Sequence, residues 1–221
     1  MIIRYKKIDK KLFINKLLIN NEMNQIFEIN INDLFFDYAT CGYLEELKEL
    51  YKKYPNIDIS FDQDITFRTA CSNGHLEIIK YLKYIKPSIN ISCFNDEAFR
   101  WACINNHLDI VKYLLKIKKS IDISANDEWI FRMCCLYGNI DIISYLLEIK
   151  PDINISINDE EPLRNACYNG HYAIVKFLFK KKPTLDISKI DIGNIKNKII
   201  YNYIYDICIE KLSKICSYCN S

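Results

Sequence analysis

Glycine and proline are scarce in this chain, with five of each among 221 residues. An average protein of this length contains roughly fifteen glycines and eleven prolines. The scarcity excludes a collagen-like chain and a low-complexity disordered segment. It also leaves few residues that can end a helix or form a tight turn, so the position of each one is informative.

An excess of one charge and a long apolar run are also missing. The chain has 30 basic and 28 acidic residues, for a formal net charge of +2, which argues against a dedicated nucleic-acid surface. No run reaches the roughly 18 apolar residues that cross a bilayer, and residues 1–11 lack the apolar core of a secretory signal. We therefore expect no nucleic-acid partner, no membrane span and an intracellular location.

Residues that carry chemistry are few. The only histidines, His75, His107 and His171, are separated by 32 or 64 residues, so they are equivalent and structural rather than a single general base. No glycine-rich phosphate loop or serine elbow occurs. Cys216 and Cys219 are spaced Cys-x-x-Cys, but no second pair or nearby histidine completes a zinc site. We expect no enzyme, no catalytic residue, no metal and no cofactor.

The scarce residues are placed periodically. Four glycines are separated by 32 or 64 residues, and Asn106 occupies the missing position in the series; four prolines follow the same step, with Lys119 in their gap. These residues are Gly42, Gly74, Gly138 and Gly170, and Pro55, Pro87, Pro151 and Pro183. A common register for both residue types predicts one structural unit stacked several times, with positive φ at the glycines and Asn106.

The unit from residue 67 shows the pattern. Phe67, Ala70 and Cys71 lie on one face of a short helix, which the glycine column ends. A second helix follows over 76–82, with proline just beyond its end and the extended tetrapeptide 89–92 closing the unit. In four units an acid precedes an arginine by four residues, and we expect these to pair along a helix. The pairs are Asp64 with Arg68, Asp96 with Arg100, Glu128 with Arg132, and Glu160 with Arg164.

Four of the ten cysteines also follow the step of 32: Cys71, Cys103, Cys135 and Cys167. Equivalent residues of neighbouring helices lie about 8–10 Å apart, farther than the roughly 4.4–6.8 Å between the Cα atoms of a disulfide. We expect buried, reduced thiols and hence a reducing compartment.

Residues 73–82, Asn-Gly-His-Leu-Glu-Ile-Ile-Lys-Tyr-Leu, and their copies closely resemble the ankyrin repeat. Residues 161–164, Glu-Pro-Leu-Arg, are similar to the Thr-Pro-Leu-His that opens the helix pair of that family. The step is 32 rather than about 33 residues, and the hairpin glycine of the family is absent. The short repeated motifs and the frequent use of Ile, Asn, Lys and Tyr resemble the ankyrin proteins of amoeba-infecting giant DNA viruses. That resemblance would imply that the protein is located in the host cytoplasm.

The resemblance implies an all-α, ankyrin-type solenoid of helix-turn-helix units with short extended links and helical caps. We expect a degenerate N-terminal unit or cap over 1–34, five repeats over 35–194, and a C-terminal helical cap over 195–221. The repeats are 35–66, 67–98, 99–130, 131–162 and 163–194.

Residues that depart from the register are candidates for binding, because packing does not explain their identity. In the ankyrin family, the links and the ends of the first helices line the concave, partner-binding face. The candidates are Phe61, Asp62, Phe94, Asn95, Asn126, Trp129, Ile104, Leu136, Tyr137 and Tyr168. We expect a monomeric, non-catalytic scaffold that binds another protein there; the alternative is a substrate adaptor of a ubiquitin ligase with a terminal docking segment.

Overall fold

The computed structural model describes the backbone of residues 30–219 and the side chains of residues 30–213. Within that range the chain forms five helix pairs and a long C-terminal helix, with no strand. The pairs are α1 (Ile31–Cys41) with α2 (Leu44–Lys53), α3 (Phe61–Asn73) with α4 (Leu76–Ile85), α5 (Cys93–Ile104) with α6 (Leu108–Ile117), α7 (Ala125–Tyr137) with α8 (Ile140–Ile149), and α9 (Ile157–Tyr168) with α10 (Tyr172–Lys181). Short 3-10 turns at Ile187–Lys189 and Ile192–Asn194 lead into α11 (Lys198–Cys219). The expected N-terminal unit falls mostly on 1–29, outside the described residues.

The helices form two layers. The first helices of successive pairs (α1, α3, α5, α7 and α9) pack side by side, and each second helix packs against its own first helix. Four phenylalanines in one column, Phe35, Phe67, Phe99 and Phe131, are completely or almost completely buried between the layers. The alanines and cysteines of the periodic columns, such as Ala70, Ala102, Cys71 and Cys103, are also buried, and their small size permits close packing. The predicted all-helical stack is confirmed.

A left-handed residue ends each first helix. Its φ is between +80° and +87° at the four glycines of the series and +63° at Asn106, so the predicted turn column is confirmed. The second helix begins two residues later in every pair. Glycine is suited to this position because it has no Cβ to clash in the left-handed region.

From the second pair to the fifth, the residue after this turn connects its helix pair to the preceding one. The imidazole Nε2 atoms of His75, His107 and His171 lie 2.9–3.0 Å from carbonyl oxygens near the C-terminal ends of the preceding first helices. Each imidazole also lies against the preceding glycine: a Cβ added at Gly138 would be 2.7 Å from the ring of His171. The glycine column therefore makes room for the histidine column of the next pair, which confirms the structural role expected of the histidines.

The contact between the third and fourth pairs, hereafter junction 3–4, makes the equivalent hydrogen bond with different residues. Asn106 occupies the turn and has a side chain, and the next pair carries Asn139 in place of histidine. The Asn139 amide donates to the carbonyl oxygens of Cys103 and Ile104, at 2.8 and 2.7 Å. The smaller amide replaces the imidazole where the turn has no glycine.

The four periodic cysteines are free and buried, as predicted. Burial raises the pKa of the Cys103 and Cys135 thiols well above the ordinary value and that of Cys167 to about 12. The thiols therefore stay protonated at neutral pH and behave as small apolar groups.

The expected acid–arginine pairs along the helix are wrong. The acids lie in a turn of three consecutive left-handed residues that precedes the right-handed part of each first helix from α3 to α9: residues 62–64, 94–96, 126–128 and 158–160. A reversal of handedness between acid and arginine removes the helical geometry that would bring them together. Asn and Asp predominate in these turns, as expected of the residues that best tolerate the left-handed region.

The acid of the turn binds the next pair instead of its own arginine. Asp64, Glu128 and Glu160 accept a hydrogen bond from a backbone N–H 26 residues later, at 3.0, 3.3 and 3.1 Å. All three side chains are buried. The arginine four residues on donates to carbonyl oxygens of its own turn: Arg68 bonds to the oxygens of Asp62 and Gln63, both at 3.1 Å. These bonds offset the strain of the left-handed turn, which is about 1–2 kcal/mol per residue.

We predict that Gly138→Ala destabilises the protein more than Gly170→Ala, by about 1 kcal/mol or more. Both substitutions place an alanine at positive φ and incur the same backbone strain. Only at Gly138 does the added Cβ also displace a histidine, because the nearest atom at Gly170 is an Asn197 side-chain atom at 3.6 Å. The free energies of unfolding in urea measure the difference, and equal losses would contradict the proposed link between the glycine and histidine columns.

Candidate partner-binding surface

Six of the ten candidate residues are exposed. Phe61, Asp62, Phe94, Asn95, Asn126 and Tyr137 are exposed, whereas Ile104, Trp129, Leu136 and Tyr168 are half-buried. Phe61, Phe94 and Tyr137 leave 54%, 49% and 55% of their surface accessible. These three lie at the starts of α3 and α5 and at the end of α7, so the exposed aromatic candidates are distributed over three consecutive first helices.

Several candidates also have a structural role that the sequence did not reveal. The ring of Phe94 lies 4.6 Å from the guanidinium carbon of Arg68, in a cation–π contact across a junction. The hydroxyl of Tyr168 accepts a hydrogen bond from the backbone N–H of Asp191 at 2.9 Å. Replacing these two residues would therefore weaken packing as well as any binding.

One exposed residue of this layer was not among the candidates. Trp101, on α5, leaves 45% of its surface accessible. Its column contains Thr69, Met133 and Asn165 in the neighbouring pairs, so the departure from register that selected the other candidates would also have selected it.

Arginine and glutamate form an ion pair across two junctions. Arg68 pairs with Glu97, and Arg132 pairs with Glu161 at 2.7 Å; in both pairs each residue is at least three-quarters buried. Partial burial raises the pKa of Glu161, but hydrogen bonds from Asn158 and Arg132 lower it by more, so it lies below its ordinary value of 4.5. This carboxylate is therefore ionised and paired at neutral pH.

Junction 3–4 lacks this ion pair. The residue equivalent to Glu97 and Glu161 is Trp129, whose ring lies 5.3 Å from the guanidinium carbon of Arg100. Asp96 and Asp122 also lack the carboxylate-to-backbone bond that the equivalent residues make at the described junctions on either side. The first helices α5 and α7 pack less closely than the other adjacent first helices.

A cavity of about 290 Å³ opens at junction 3–4. Three of the candidates, Asn95, Asn126 and Trp129, line it together with Arg100, Asp96 and Asp122, whereas the other seven candidates do not. The sequence departs from the repeat register at Asn106, Lys119 and Trp129. In the structure all three departures belong to the third pair or to the start of the fourth, on the two sides of junction 3–4.

The described residues contain no group of three or more His, Cys, Asp or Glu side chains arranged to hold a metal ion. No helix in the described part of the chain is both long and apolar enough to span a bilayer. Cys216 and Cys219 lie beyond the side chains that the structure describes. The groups that this surface offers include aromatic rings, amides and Arg100, which has no carboxylate partner among the described residues.

We predict that Glu161→Gln lowers the free energy of unfolding by about 1–2 kcal/mol at neutral pH. Because the pKa of Glu161 is depressed in the folded protein, its stabilisation is present above the ordinary pKa of 4.5 and is lost as the pH falls through the folded-state value. Urea unfolding of wild type and variant across this range should therefore converge at acidic pH.

The control is Glu77→Gln, which removes an exposed pair with Lys80 within one helix. Such pairs contribute little, so we expect a change below about 0.5 kcal/mol at every pH. A loss for Glu161→Gln that did not depend on pH would contradict the assigned ion pair.

Comparison with known families agrees with this architecture. Residues 35–127 match a family model described as ankyrin repeats (3 copies), and residues 130–179 match a second, described as ankyrin repeats (many copies). A search of curated proteins gave no match. The two matched segments together cover more than half of the 221 residues and coincide with the stacked pairs, so the chain belongs to the ankyrin-repeat family.

Proposed function

We propose that this protein is a non-catalytic scaffold that binds a partner protein on its first-helix layer. The observation that carries the proposal is the presence of four large apolar side chains, each about half exposed, on three consecutive first helices. They are Phe61, Phe94, Trp101 and Tyr137. Aromatic residues of this kind are enriched among those that dominate binding energy. Proteins with ankyrin repeats generally mediate protein–protein interaction, which supports the same conclusion.

The first-helix layer is the side of the array on which we place the partner. Its helices are in close contact because alanine and cysteine face one another, whereas the second helices are more widely separated. An array whose layers differ in spacing curves toward the closely spaced layer. The first helices would therefore line a concave face, along which a partner can contact several repeats at once.

The same proposal includes a monomer in a reducing compartment. The free, buried cysteines support the compartment. The stacked pairs bury their cores within one chain, which supports the monomer. If the resemblance of its sequence motifs to those of viral ankyrin proteins reflects a viral origin, this compartment would be the host cytoplasm.

The alternative is a substrate adaptor of a ubiquitin ligase, in which a terminal segment docks the ligase. One observation favours it: α11 packs on α10 through buried residues such as Ile200 and Ile204, yet it also exposes Tyr205, Ile209 and Leu212. Partners bound through these exposed residues would include components of the ligase. Partners bound through the first-helix layer would be the substrates.

We predict that the double variant Trp101→Ala/Tyr137→Ala loses the native partner while keeping its fold. Both side chains are about half exposed, so truncation removes little packing. Removal of one aromatic anchor typically costs about 2 kcal/mol of binding free energy or more, or roughly thirtyfold in Kd. The measurement is affinity purification from the native cell with tagged wild type and variant, with thermal unfolding as the check on folding.

The matched control is Tyr84→Ala/Ile117→Ala, which removes two exposed apolar side chains from second helices. It should capture the same proteins as wild type. Capture that survives the first double variant, or that is lost only in the control, would place the partner on the other layer and contradict the proposal.

A further inference from the structure

Arg100 is an arginine whose expected ionic partner is missing. The equivalent Arg132 donates from Nε to the oxygen of Asp127 and from Nη2 to that of Asn126, and it uses Nη1 for Glu161. Arg100 donates from Nη2 to the carbonyl oxygen of Phe94 at 2.9 Å, and its buried Nε has no hydrogen-bond partner. Buried polar groups are nearly always paired, and in Arg68 and Arg132 the equivalent Nε donates to a carbonyl oxygen of the preceding turn. Among the described residues Arg100 therefore lacks this Nε bond as well as the Nη1 bond that its equivalents make to a glutamate.

The acceptor missing from Nη1 of Arg100 has a clear chemical identity because the chain supplies a carboxylate to the equivalent Nη1 at both neighbouring junctions. Glu97 provides a carboxylate to Arg68, and Glu161 provides one to Arg132. At junction 3–4 the equivalent residue is Trp129, so the carboxylate is absent and an aromatic ring lies beside the guanidinium. Arginine binds a carboxylate through two parallel hydrogen bonds when its donors are free.

The cavity gives such a carboxylate room and a route of entry. Its volume of about 290 Å³ far exceeds what one water molecule requires. Arg100 and Trp129 line it together with the exposed residues Asn95 and Asn126. A side chain that arrives from solvent can therefore pass the two amides and reach the arginine.

Asp96 and Asp122 also line the cavity, and their negative charges oppose a further carboxylate. At each neighbouring junction one such acid, Asp64 or Glu128, lies four residues before the arginine, and the arginine still pairs with a glutamate. Junction 3–4 carries one acid more, because the residues equivalent to Asp122 are Asn90 and Asn154. Asp96 is moreover bonded to Ser92, whose hydroxyl also accepts a hydrogen bond from Lys118, so a second cation lies close by.

We propose that an aspartate or glutamate side chain of the partner protein enters the cavity at junction 3–4 and pairs with Arg100, with Trp129 beside it. The proposal rests on the first-helix layer being the binding surface, and it adds the chemistry of the partner's anchor. The partner would complete in trans the ion pair that Glu97 and Glu161 complete within the chain.

The test is an NMR titration of the purified full chain with N-acetyl-glutamate N-methylamide, a blocked glutamate residue. The Arg100 Nε–H and Trp129 indole N–H resonances report on the cavity. We expect saturable shifts with a Kd on the order of 1–10 mM, as suits a single residue. The isosteric N-acetyl-glutamine N-methylamide should bind at least tenfold more weakly, at the same ionic strength.

Three variants locate the effect. Arg100→Gln should weaken the glutamate probe at least tenfold. Arg132→Gln should leave the binding of the probe unchanged, because Arg132 already has Glu161 as a partner. Trp129→Glu should also remove binding of the probe, by supplying the carboxylate from within the chain. The spectrum of each variant shows whether it is folded, so a loss of binding is not confused with a loss of structure.

Equal binding of the glutamate and glutamine probes would overturn the proposal, as would binding that persists in Arg100→Gln. The absence of saturable shifts up to about 100 mM probe, ten times the weakest expected Kd, would also overturn it. None of these results bears on Trp101→Ala/Tyr137→Ala, whose loss of the partner would still support the scaffold. Conversely, a partner bound to the second-helix layer would refute the scaffold proposal even if the cavity bound the probe.

Discussion

The stacking of this protein depends on a hydrogen bond that points backward along the chain. From the second pair to the fifth, the residue after the glycine or Asn106 that ends the first helix bonds to a carbonyl oxygen at the end of the preceding first helix. Where that residue is a histidine, its imidazole lies directly against the glycine of the preceding pair. The histidine of one pair therefore fits only because the preceding pair has a glycine, without a Cβ, at the position that the imidazole contacts. This coupling explains why both residue types share one register, and why the first helices can pack closely enough to form a continuous inner layer.

The turn acids provide a second set of connections, which point forward. A buried carboxylate in the left-handed turn accepts a hydrogen bond from a backbone N–H of the following link. The arginine four residues after that carboxylate pairs with a glutamate of the following helix pair. Because a solenoid is stabilised by the interfaces between neighbouring units, each junction depends on these few bonds. Junction 3–4 has an amide in place of the imidazole, a tryptophan in place of the glutamate, and a cavity beside Arg100. Packing alone does not account for these substitutions, whereas the proposed binding surface would.

Much of the fold could be predicted from the sequence because glycine and proline have strict geometric requirements. The turn column, the ends of the second helices and the buried cysteines all follow from residues with one favourable placement. The left-handed turns could not be predicted in the same way. Three consecutive non-glycine residues at positive φ are unfavourable alone. They persist here because two donors from outside the turn bind it: the arginine that follows, and a backbone N–H of the next link, which bonds to the acid of the turn. An acid four residues before an arginine indicates a helical ion pair only where the backbone between the two residues is right-handed throughout.

The candidate surface was predictable in part for a similar reason. Departure from the register selected residues such as Phe61 and Tyr137, which the structure exposes. It could not select Arg100, because an arginine is what the register has at that position. Arg100 is notable only because Trp129 replaces the glutamate with which it would pair. Missing partners of this kind become visible when the distances across a junction are known.

Native-state hydrogen exchange at the link amides tests most directly whether junction 3–4 differs from its neighbours. The N–H groups of Asn90 and Asn154 are bonded to buried carboxylates, whereas the equivalent N–H of Asp122 has no such bond among the described residues. After correction for intrinsic rates, the account predicts exchange at least about tenfold faster at Asp122 than at the other two amides. Equal protection at all three would show that junction 3–4 is closed like the others, and would contradict the account.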